Sequence, residues 1–69
     1  MTPTTLNRVG TACFGNFWQT QMAHALGVNP RTLRRWLSEE LPMPDLRTEL
    51  QDLIIKRRQL MLEALDWLD

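Results

Sequence analysis

The sequence predicts an all-α fold: a small bundle of four to five helices that ends in a long C-terminal helix. Three observations carry that expectation. Apolar residues recur three and four apart, as in Leu6/Val9/Cys13, Met22/Leu26 and Leu33/Trp36, the spacing of one helix face. Helix punctuation separates these runs: Thr2-Pro3, Gly15-Asn16, Gly27 and Asn29-Pro30. Finally, Leu46, Leu53, Leu60 and Trp67 repeat every seven residues, and Ile54, Met61 and Leu68 repeat beside them.

The first helix is expected to start at Thr2-Pro3, where a capping hydroxyl precedes a proline whose missing N–H costs nothing. It carries Leu6, Val9 and Cys13 and stops near Phe14 at Gly15. Asn16 and Gln19, three residues apart, form a capping-box pattern for the second helix, Phe17–Leu26. Trp18 fits either the core or a ring lying under a nucleic-acid sugar edge. His24, with no acid or cysteine near it, reads as a solvated surface residue. Gly27 follows the second helix, where a left-handed conformation turns the chain without a Cβ clash. The third helix runs from Pro30 to about Glu39, capped by Asn29.

Two short helices joined through a glycine corner, with small Ala23 at the crossing and Val28 closing the gap, form a helix-turn-helix over residues 17–39. On the second of these helices Leu33 and Trp36 face inward. Asn29, Arg31, Thr32, Arg34, Arg35 and Ser38 are polar, with no acid from Arg31 to Ser38. Arginine's planar fork can bind guanine O6/N7 bidentately or clamp a phosphate. That face suits the major groove of DNA.

These residues resemble the lambda-repressor-like (Cro/Xre-type) helix-turn-helix family: Gln19 opening the first helix, Ala23 at the crossing, Gly27 in the turn, and Val28, Leu33 and Trp36 at buried positions. The likeness covers about 20 residues strongly and about 40 loosely by the extent of such a two-helix unit. It implies a sequence-specific regulator. In size and layout the chain is also similar to small phage and mobile-element regulators, including anti-CRISPR-associated repressors.

The connector Leu41-Pro42-Met43-Pro44 is expected to be extended, because residues before proline avoid the helical region. Pro44 restarts a helix, with Asp45 and Glu49 at its positive end. The last helix, residues 44–68, would be about 36 Å long, more than a small bundle covers. Leu53, Leu60, Met61, Ala64, Trp67 and Leu68 are therefore expected to bury against a second copy, since two-fold dimers are common. The competing expectation is a helix broken near Lys56–Arg58 whose halves both fold onto one core. Lys56-Arg57-Arg58 itself reads as a solvated face paired with Asp52 or Glu63.

Sixty-nine residues make one domain that buries about 60% of its unfolded surface, so oligomerisation would help it. Net charge is zero, but its distribution is uneven. Residues 1–38 hold four arginines and no acid; residues 39–69 hold four basic and eight acidic residues, a net of −4. Such asymmetry suits a basic surface facing a polyanion. The single cysteine, Cys13, builds neither a disulfide framework nor a metal site and is expected in the core. No signal peptide or membrane span is visible, so a cytoplasmic location is expected.

No enzyme is expected. There is no ligand cluster, no phosphate loop and a single histidine, and Glu39 and Glu40 point about 100° apart on a helix. The expected function is a dimeric repressor on a palindromic operator, with no cofactor, metal or small-molecule ligand. Asn29, Arg31, Thr32 and Arg35 are placed nearest the bases; Gln19, Thr20, Gln21, Arg34 and Ser38 are placed on the backbone. The alternatives are an antitoxin and a protein-interaction module without DNA readout.

Overall fold

The structure, a computed structural model, describes residues 1–68. Four helices account for most of them: α1 (Pro3–Phe14), α2 (Trp18–Leu26), α3 (Pro30–Leu37) and α4 (Arg47–Asp66). α1 packs on α2, α2 on α3, and the start of α4 returns to α1.

α1 begins as its sequence implies. The Thr5 backbone N–H donates to Thr2 Oγ at 3.2 Å, and Pro3 takes the first helical position. Gly10, in mid-helix, is buried for a steric reason: a Cβ there would overlap the Trp18 indole, 2.7 Å from Cζ3 and closer still to Cε3 and Cδ2. That contact corrects the expected start of α2. Trp18 is drawn into the core, 3% exposed, and the helix begins there rather than at Phe17. Phe17 becomes the N-cap with no side-chain cap bond, so the Asn16–Gln19 capping box does not form.

α2 ends at Gly27, which is left-handed (φ 72°, ψ 27°). The Gly27 N–H donates to His24 O at 3.1 Å and the Val28 N–H to Ala23 O at 2.9 Å, which satisfies two terminal carbonyls in a Schellman motif. Asn29 Oδ1 then accepts from the Arg31 N–H at 2.8 Å, so the turn runs straight into the cap of α3. α3 stops at Leu37, two residues before the expected Glu39, because the same terminal motif recurs. The Glu39 N–H donates to Trp36 O at 3.2 Å and the Glu40 N–H to Arg35 O at 3.0 Å. Here Glu39, at φ 64°, occupies the left-handed position that favours glycine.

The connector remains non-helical through Leu46, and Pro44 does not restart the helix. Asp45 instead accepts from the Arg47 N–H at 3.1 Å, two residues on, and Leu46 anchors in the core. α4 then runs unbroken through Lys56–Arg58 to Asp66, so the broken-helix alternative falls.

The core is wholly apolar among the described residues: Leu6, Trp18, Met22, Ala23, Leu33, Trp36, Leu46 and Leu50. Full burial of side chains such as Leu6, Met22 and Leu33 stabilises by about 1.5–3 kcal/mol each. Cys13 is only half-buried, on the edge of a groove between α1 and α4 rather than in the core. The radius of gyration is 13.2 Å, against about 11 Å for a compact chain of this length. The excess comes from an elongated shape, 47 × 22 × 20 Å, in which the second half of α4 extends past the core.

Candidate nucleic-acid interface

The site grows from the way α3 is held. Leu33 and Trp36 are buried and Leu37 half-buried, which fixes the inward side of the helix. At about 100° per residue, Arg31, Arg35 and Ser38 then fall on the opposite side as one ridge, spaced by four and three. Arg34 flanks that ridge. All four are exposed. Thr32, on the other flank, is half-buried, so it offers less surface than its neighbours.

The arginines are available for a partner. Arg35 Nε lies 3.6 Å from Glu40 Oε2, with both side chains substantially exposed. Such a loose surface pair is cheaply broken. It is the only ion pair among the described residues, so Arg31 and Arg34 face solvent without a carboxylate. Ser38 Oγ donates to Arg35 O at 3.3 Å, which ties it to its own helix end. Asn29 is partly committed: its Oδ1 caps α3, leaving only the amide N–H donors for another contact.

Gln19, Thr20 and Gln21 lie in the first turn of α2, the first half-buried and the others exposed. A hollow bounded by Asn7, Trp18, Gln19 and Leu37 brings this turn beside the end of α3. Gln19 therefore stands next to Leu37, at the end of α3. Trp18 takes no part, because its ring is internal. The exposed ring is its neighbour Phe17, 92% exposed beside Asn16, Gln19 and Thr20. The sequence alone gives Phe17 no role beyond the helix start. The signal was the Phe-Trp pair itself: one aromatic enters the core at the helix start, and its neighbour must point away.

No protein-family model, curated protein or solved structure matches the chain.

Leu60 and Met61 on α4, and Trp67 and Leu68 just past its end, are exposed, and Ala64 is half-buried. Leu53 is half-buried against its own core. The basic run differs from expectation. No ion pair joins Lys56, Arg57 or Arg58 to Asp52 or Glu63 among the described residues. Arg57 instead places its guanidinium 4.3 Å from the Phe14 ring centroid, a cation–π contact that draws its aliphatic stem onto the apolar stripe. Its Nε is buried without a hydrogen-bond partner. No group of three or more His, Cys, Asp or Glu among the described residues could hold a metal ion, and no helix there is long and apolar enough to cross a membrane.

Proposed function

We propose that the protein is a sequence-specific, dimeric DNA-binding repressor. In this reading α2, the Gly27 turn and α3 act as a helix-turn-helix, and α3 enters the major groove. One observation carries it: Arg31, Arg34 and Arg35 stand exposed on the side of α3 opposite Leu33 and Trp36, and among the described residues only Arg35 pairs with a carboxylate. An apolar face that holds the helix and an arginine-rich face left open is what groove reading needs.

Arg31 and Arg35 are the base readers, with Thr32 and the Asn29 amide beside them. Arg34, Ser38, Gln19, Thr20 and Gln21 contact phosphates and fix the register. A two-fold dimer presents two such helices to an inverted repeat with half-sites about 34 Å apart. In this reading the protein acts by occupying the operator, and we place that operator in its own operon.

The test is a mobility-shift titration on the DNA upstream of its own gene, with selection from a random duplex pool in parallel. Affinity should fall steeply with salt. Arg31→Ala and Arg35→Ala should each weaken specific binding by about 1–3 kcal/mol while helical content is kept. Parent-like affinity in both variants, or no salt-sensitive retention of any duplex, would overturn the reading. The second outcome favours a protein-interaction module or an antitoxin, a reading that draws on the exposed apolar half of α4.

A further inference from the structure

The apolar stripe of α4 is continuous, but the chain's own core covers only its first half. Leu46, Leu50 and Leu53 lie against that core. Leu60, Met61 and Trp67 continue the stripe into solvent, with Trp67 74% exposed. Arg57 stands between the halves. Its guanidinium lies over the Phe14 ring, while its Nε–H is buried and unbonded. A buried donor is costly until an acceptor arrives. Along one border of the stripe run Glu49, Lys56 and Glu63, seven residues apart, so basic and acidic positions alternate there.

These features discriminate between two ways of pairing α4 with itself. In a parallel pair each position meets its own copy, so Arg57 would face Arg57 in the middle of an apolar seam. In an antiparallel pair, positions equidistant from the midpoint meet, and the same border of each helix lies against its counterpart. A midpoint at Leu60 sets Arg57 opposite Glu63, with Lys56 one residue away. It also sets Trp67 opposite Leu53. There a groove of 450 Å³ opens between α2 and α4, with Leu53, Lys56 and Leu60 on its α4 wall and Thr20, Gln21 and His24 on its α2 wall.

We propose that a second copy of this chain occupies that face, with the two α4 helices antiparallel about Leu60. Glu63 of each copy accepts hydrogen bonds from Arg57 and Lys56 of the other, and Trp67 of each lies in the α4 side of the other's groove, against Leu53 and Leu60, which leaves Thr20 and Gln21 on the far wall open. The inference deepens the dimeric part of the function proposed above and rests on it for the identity of the occupant; it does not depend on DNA.

Sedimentation equilibrium on the full chain tests the charge pairing. Glu63→Lys and Lys56→Glu should each weaken association about tenfold or more, and the double variant should recover most of the loss. Within one helix these residues are seven apart and do not meet, so recovery reports contact between copies. Register is read in a Cys13→Ser background with a short bismaleimide. A mixture of Lys56→Cys and Glu63→Cys chains should cross-link, whereas neither variant should cross-link to itself. Self-linking of Lys56→Cys, or a chain that stays monomeric at every concentration, overturns the pairing. A monomer that still retards duplex DNA in a salt-sensitive way removes the pairing alone. A dimer linked as described that retains no duplex removes the DNA reading alone.

Discussion

Replacing Gly10 with alanine tests the most tightly constrained contact in the fold. In an ordinary helix interior, glycine to alanine stabilises by about 1 kcal/mol. Here the added methyl overlaps the Trp18 indole, so one of two things must yield. If α1 shifts away from α2, the strain of an overpacked core costs about 1–3 kcal/mol. If Trp18 is expelled instead, an aromatic burying about 150–250 Å² returns to water at about 25 cal/mol per Å², a loss of about 4–6 kcal/mol. A chain of this length has about 3–10 kcal/mol in all. Net of the propensity gain of about 1 kcal/mol, the milder outcome costs up to about 2 kcal/mol and should lower the melting temperature by up to about 15 °C, and expulsion of the ring should lower it further, read by circular dichroism at 222 nm. Gly10→Ala combined with Trp18→Leu should lose less than the two single changes added together, because the smaller side chain removes the overlap. A Gly10→Ala protein that melts at or above the parent temperature, with its near-ultraviolet tryptophan signal intact, would refute the reasoning.

The ends of α3 offer two changes of opposite sign. Asn29→Ala removes the 2.8 Å cap to the Arg31 N–H and should cost about 1 kcal/mol in urea denaturation. Glu39→Gly relieves a non-glycine residue at φ 64° and should stabilise by about 1 kcal/mol in the same assay. Leu33→Ala empties a fully buried position at the centre of the core and should cost about 2–5 kcal/mol, enough to leave much of the chain unfolded at 37 °C. Trp67 fluorescence should shift to the blue as protein concentration rises, and Glu63→Lys should move that transition to higher concentration.

Most of the helical layout was legible because glycine, proline and capping residues act locally. Thr2-Pro3, Gly27 and Asn29-Pro30 mark ends that the structure keeps, and Leu33 and Trp36 identify the inner face of α3 by spacing alone. The departures arise where a distant contact decides. The Asn16–Gln19 pattern is a sound cap in isolation, but Gly10 sits one helix away and pulls Trp18 inward, which moves the helix start. Glu39 gives no sequence signal for a left-handed turn, since the preference it overrides belongs to glycine. Arg57 reads as one of three solvated basic residues until Phe14 is brought beneath it by the return of α4. The outward ridge of α3 follows from its periodicity, whereas the freedom of Arg31 and Arg34 from the acidic half of the chain, and the loose pairing of Arg35 with Glu40, needed the three-dimensional arrangement.

A core with no polar or charged member among the described residues has a consequence for how this protein can change. Nothing inside depends on the identity of Arg31, Arg34, Arg35 or Ser38, so those four positions form an interchangeable cassette mounted on a fixed chassis. A library randomised there, proline and glycine aside, should remain folded throughout. Whatever the ridge touches could then be exchanged by descent or by selection without first redesigning the scaffold that carries it.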